Sequence, residues 1–120
     1  PLQGYVSQEF QDSTSGKYHP GVDFAVAIGT PVLSTASGEV TFAGDDPVYG
    51  KMVIVQHNDT VSTLYGHNSE LLVAPGDAVI AGGRLALSGN SGQSSAPHLH
   101  YEIRINGVAI DPGLFLGGVD

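Results

Sequence analysis

The chain has 120 residues, a net charge of −8 at pH 7 with His neutral, only four basic residues and no cysteine. A length of this order buries one modest core. The acidic balance excludes a phosphate-binding basic face and hence a nucleic-acid partner. Lack of cysteine excludes a disulfide framework but leaves export open. No apolar run approaches the roughly 20 residues that span a bilayer, so no membrane span is expected in this segment. The chain begins at Pro1 with neither Met nor a signal pattern. It is expected to be a single domain, 1–120, processed or excised from a longer chain.

The 17 Gly and 7 Pro argue against long helices and for short strands joined by turns. The chain therefore reads as all-β, mainly antiparallel. Residues 1–16 show little regularity. In His19-Pro20-Gly21-Val22-Asp23, Pro20 and Gly21 forbid a regular helix. They favour a tight turn or an irregular extended segment that brings His19 and Asp23 together. Predicted strands follow at 31–33, 38–43, 51–57, 61–66, 78–80, 85–88 and 98–105. Asn58-Asp59, Gly82-Gly83 and Asn106-Gly107 supply turns between them. The tail after Pro112 is less regular. Gly29-Thr-Pro-Val32-Leu33 and Gly76-Asp-Ala-Val79-Ile80 form a faint internal echo, which either a duplication or the reuse of hairpin chemistry explains.

The last predicted strand carries the chemistry. Side chains alternate along a strand, so His98, His100, Glu102 and Arg104 share one face while Leu99, Tyr101, Ile103 and Ile105 share the other. Two imidazoles at i and i+2 can address the same small volume. Catalytic metal centres take three ligands from His, Asp or Glu and keep a position open for water, whereas closed structural sites usually use Cys. The two histidine signatures supply donors of the first kind. No His-Glu-x-x-His helix is present to provide a glutamate base. Taken alone, His19 and Asp23 read better as a turn whose carboxylate accepts backbone hydrogen bonds than as metal ligands. His67 alone reads as a solvated or hydrogen-bonded strand-end residue, and His57, just before a turn, reads as structural.

The order of motifs is more specific than any one of them. His-x-Gly-x-Asp-Phe at His19 to Phe24 is followed by Gly-Thr-Pro-Val at Gly29 to Val32 and Tyr-x-His at Tyr65 to His67. Then come Gly-x-x-Val at Gly76 to Val79, Gly-x-Ser-Gly at Gly89 to Gly92, and Pro-His-Leu-His-Tyr-Glu at Pro97 to Glu102. This series resembles the lysostaphin-type, or LytM-like, peptidoglycan metalloendopeptidases over a motif-bearing core of about 18–112.

The resemblance implies a flat LytM-like β-sheet with a substrate groove, related to folds built from duplicated hairpins (barrel-sandwich hybrids). It implies zinc held by His19, Asp23 and His100, with His67 and His98 as catalytic histidines. Glu102 is placed to orient a ligating imidazole, since such histidines usually donate their other nitrogen to a carboxylate, carbonyl or water. Tyr101 is expected to point into the core. A cation held by two neutral imidazoles and one carboxylate lowers the pKa of bound water from about 15.7 to about 7. The implied activity is hydrolysis of peptide stems or cross-links of bacterial peptidoglycan, in the periplasm, the cell wall or the extracellular space. The glycine-rich turns Gly89 to Gly92 and Gly82-Gly83 would let substrate backbone approach closely, or serve as ordinary turns.

Two departures stand out: Gly66-His67-Asn68 replaces the Ala-His-Leu often seen there, and the Arg or Tyr that many relatives place upstream of the first His has only Tyr5 as a counterpart, with Lys17 and Tyr18 next to the ligand. Two rival functions belong to other classes. One is a non-catalytic LytM-like module that activates cell-wall amidases; the other is a carrier of phosphate or of a lysine-borne group. The sequence carries no signal for the bond cleaved or for oligomeric state.

Overall fold

The structure, a computed structural model, describes residues 5–8, 20–92, 94 and 96–111. All described regular structure is β. The strands are β1 (Tyr5–Gln8), β2 (Val22–Ala25), β3 (Pro31–Leu33), β4 (Gly38–Asp46), β5 (Gly50–Gln56), β6 (Val61–Leu71), β7 (Ala78–Val79), β8 (Arg84–Ser88), β9 (His98–Ile105) and β10 (Val108–Ile110). They form one sheet in the order β1-β2-β9-β6-β5-β4-β7, with β10 also on β9 and β8 linking β3 to β6. Every pairing is antiparallel.

Alternation sets the core. Val22 and Phe24 of β2, Val53 and Val55 of β5, and Leu99, Tyr101 and Ile103 of β9 all point to one side, where they join Val32, Val40, Tyr65, Leu85 and Ala86. Burying each large apolar side chain contributes about 1.5–3 kcal/mol. Tyr101 is core, as expected, and its hydroxyl meets Thr35 Oγ1 at 2.9 Å.

The two long strands exceed their predicted lengths, and β1, β2 and β10 add to the predicted set. β2 and β10 are too short for periodicity to mark them. They exist because β9 offers a ladder edge: Asp23 pairs with His100 and Ala25 with His98, while Ala109 pairs with Arg104. The Asn106-Gly107 turn is a two-residue hairpin with both residues left-handed, at φ 52° and 79°.

β6 runs past its predicted end because it changes partner. Its first part pairs with β9 up to Gly66 and its last part pairs with β8 from Asn68. At the changeover His67 has φ 64°, a conformation uncommon outside Gly. Against β5, the two residues Gly66 and His67 stand where β5 has one, so the strand bulges and re-aims the His67 side chain.

The internal echo has a counterpart in the pairing. Gly29 and Gly76 open the two motifs with φ 92° and 94°. β3 pairs with β8 while β7 pairs with β4, so each motif pairs with the strand that follows the other.

Candidate active site

The face of β9 opposite the core holds the site. β2 lies beside β9 in a register that sets Asp23 directly across from His100. Asp23 Oδ1 lies 2.8 Å from His100 Nδ1 and 3.6 Å from His98 Nε2. The glycine of the first motif is dictated by this approach. A methyl group at Gly21 would collide with the Tyr101 carbonyl and lie 2.9 Å from both Glu102 Cγ and His100 Cε1. The segment thus passes against the residues that flank the second motif, and only glycine fits.

His100 is held from its other side. Its Nε2 is 2.8 Å from Oε2 of Glu102, a fully buried carboxylate. Glu102 also accepts from Tyr49 Oη–H at 2.6 Å and from Arg104 Nε–H at 2.7 Å. Burial alone would raise the Glu102 pKa, but these donors hold it below the usual carboxylate range. An ionised Glu102 only accepts, so Nε2 of His100 carries a proton and Nδ1 turns toward Asp23. Burial also disfavours a charged His100, yet its hydrogen bonds to Asp23 and Glu102 outweigh that and push its pKa up to about 8.

His67 and His98 complete the cluster, with ring centroids 4.7 Å apart. Each is anchored through Nδ1 to a backbone carbonyl: His67 to Ser91 at 2.6 Å, and His98 to Ala96 at 2.8 Å with Ser94 Oγ at 3.0 Å. A carbonyl can only accept, so in the neutral rings the proton sits on Nδ1 and Nε2 keeps its lone pair. His67 has a lowered pKa, mainly from burial, reinforced by the nearby His98 and His100. It is therefore neutral at pH 7.

Ser91 is built in as a clip. Its Oγ donates to the Asn68 carbonyl at 2.5 Å and accepts from Lys51 N–H at 3.0 Å. The glycines around it are needed for internal packing: Gly92 and Gly50 lie against each other, both left-handed, and Gly89 lies against Ser69. Gly82-Gly83 makes an ordinary turn, with Gly82 N–H donating to Ser34. His57 is structural, as expected: its nitrogens meet the Ser37 carbonyl and Thr63 Oγ1, both at 2.8 Å, away from the cluster.

Of the five expected site residues, Asp23, His67, His98 and His100 are brought together. His19 lies outside the described residues, as do Lys17, Tyr18 and the side chain of Tyr5. Among the described residues no group of three or more His, Cys, Asp and Glu is arranged to hold a metal ion. The donor chemistry of the described pair nevertheless fits one. A buried imidazole flanked by two carboxylates at 2.8 Å is a site for positive charge, which a proton or a metal cation can supply.

The family model for peptidase family M23 matches residues 17–112. The chain belongs to that family. Among M23 relatives, the peptidoglycan DD-endopeptidase ShyA of Vibrio cholerae is 45% identical over 93 residues, 78% of this chain and 22% of its own. The murein hydrolase activator NlpD of Escherichia coli is 37% identical over 117 residues, 97% of this chain and 30% of its own. The chain thus spans about a fifth to a third of these relatives. Among solved structures, the catalytic domain of lysostaphin from Staphylococcus simulans superposes with a TM-score of 0.82 at 35% identity, covering 98% of this chain and 93% of that one. A zinc-containing peptidase from Vibrio cholerae gives a TM-score of 0.82 at 29% identity, covering 92% and 39%. The all-β LytM-like architecture expected from the motifs is the one found.

Sequence reasoning missed Tyr49 and the clip role of Ser91. Tyr49 belongs to a hairpin remote in sequence from every motif, and nothing local marks it. Ser91 was legible as part of Gly-x-Ser-Gly, but its tie to His67 depends on two loops meeting.

Proposed function

We propose that this M23 domain is a zinc-dependent endopeptidase that hydrolyses peptide stems or cross-links of bacterial peptidoglycan outside the cytoplasm. One observation carries the reading: Asp23 and His100 converge beside two histidines, His67 and His98, each anchored through Nδ1 to a backbone carbonyl. His19, Asp23 and His100 would hold the zinc, His100 through Nδ1. Bound zinc lowers the pKa of its water to about 7 and polarises the scissile carbonyl. His67, neutral at pH 7 and fixed by Ser91, is suited to accept a proton. His98 is close enough to Asp23 to act on the same centre, and the pair can return a proton to the leaving amine.

The second reading, a module that activates other cell-wall hydrolases, is favoured by the NlpD match, which covers 97% of this chain. Retention of Asp23, His67, His98 and His100 in one cluster supports the enzyme over it.

The test is mass spectrometry of fragments released from purified sacculi, with and without a chelator and with zinc restored. Chelator-sensitive release of peptide-cleaved fragments is expected. No release by protein shown to hold zinc, across several peptidoglycan chemistries, would transfer the reading to the activator.

A further inference from the structure

Tyr49 sits at the tip of the β4–β5 hairpin, outside every motif. Asp46 Oδ1 accepts from the N–H groups of Val48 and Tyr49 at 2.8 and 2.9 Å, which folds the tip into a fixed shape. From there Tyr49 reaches both halves of the site. Its hydroxyl donates to Glu102 Oε2 at 2.6 Å, and its ring stacks on His100 with centroids 5.3 Å apart and planes 25° apart. Its backbone carbonyl accepts from His67 N–H at 2.6 Å. This replaces the ladder bond that His67 gives up where β6 changes partner. Gly66 leaves room for the ring, since a methyl there would lie 3.3 Å from it.

We propose that Tyr49 is a positioning residue that registers the metal-ligand half of the site against the acid–base half, its hydroxyl keeping Glu102 against His100 and its carbonyl keeping His67 in its left-handed conformation. The hydroxyl matters because three donors fix the Glu102 carboxylate. Arg104 binds Oε1 while His100 and Tyr49 share Oε2. Without the phenol each oxygen keeps a single donor, and the carboxylate can tilt away from Nε2. Outer partners of this kind typically account for 10–100-fold in metal affinity. Stacking alone, which phenylalanine preserves, does not restrain the carboxylate.

The inference rests on the zinc reading above, and its test separates the two. Zinc affinity is measured by competition with a chromophoric chelator for wild type, Tyr49→Phe, Glu102→Gln, the double variant and a His100→Ala control, with zinc-free thermal unfolding alongside. Tyr49→Phe is expected to weaken zinc binding about tenfold and to lower the zinc-free unfolding midpoint as well, because it takes one donor from a buried carboxylate; the zinc-free curve confirms that the variant is folded under the conditions of the zinc assay. In the Glu102→Gln background the same substitution should have almost no further effect, because Tyr49 acts through Glu102. Unchanged affinity in Tyr49→Phe, or an equal loss in both backgrounds, would overturn the role of Tyr49 while leaving the zinc reading intact. Wild-type protein that binds zinc no more tightly than His100→Ala would overturn the zinc reading and this inference with it.

Discussion

In the zinc-free chain, the pairing of His100 with two carboxylates makes stability depend on pH in a calculable way. Its folded pKa of about 8 exceeds the ordinary 6.5. A raised pKa contributes stability that is fully present below 6.5 and is lost as pH rises through 8. The full shift corresponds to about 2 kcal/mol, of which about 1 kcal/mol remains at pH 7 and almost none at pH 9. The side chain is only 5% exposed, so solvent screening takes little from this. His67 adds little slope in this range, because its lowered pKa leaves it neutral. Tyr49 and Tyr101, both shifted upward by burial, lose their contribution only above about pH 10.

The measurement is urea unfolding of chelator-treated protein at pH 7 and pH 9, at fixed ionic strength, beside His100→Gln. Wild type should lose about 1 kcal/mol more than the variant between the two pH values. Zinc at saturating concentration should reverse the trend, because metal and proton compete for Nδ1 and metal affinity rises with pH. Equal losses in wild type and variant would refute the assignment of a proton between His100 and Asp23.

Other substitutions probe separate parts of the site. Asp23→Asn keeps the volume but removes the charge, and should weaken zinc binding by more than about 100-fold, beyond the range of outer-partner substitutions; chelator competition reads it. Ser91→Ala removes two hydrogen bonds and should cost about 1–2 kcal/mol in denaturant unfolding. It should also lower turnover on sacculi while zinc affinity holds, because its effect falls on His67. Gly21→Ala drives a methyl into the Tyr101 carbonyl and toward His100. It should cost more than about 2 kcal/mol and weaken zinc binding in the same preparation.

How much was legible depended on whether a signal was local. The 98–105 strand was read with its bounds intact because eight residues of strict alternation separate a histidine face from a core face. β2 is not legible as a strand, since the single alternation of Val22, Asp23 and Phe24 after a Pro-Gly pair is too short to mark one, and its conformation is imposed by the edge of β9. His67 was marked only by the order of motifs. Its function depends on a left-handed backbone that a Tyr-Gly-His tripeptide does not announce and that tertiary bonds from Tyr49 and Ser91 sustain. Glu102 was placed on the correct face by alternation, but its ionised state required knowing that Arg104 and Tyr49 reach it.

These dependencies make the register between β2 and β9 the quantity on which the chemistry turns. Slipping β2 by one residue would place Val22 or Phe24 opposite His100 and drive Asp23 into the core. The slip is opposed twice. Val22 and Phe24 are buried, so exposing them would forfeit about 3–6 kcal/mol, and an ionised Asp23 would lose its imidazole partner in an apolar interior. The apolar alternation that builds the core is therefore also what delivers the carboxylate to the imidazole.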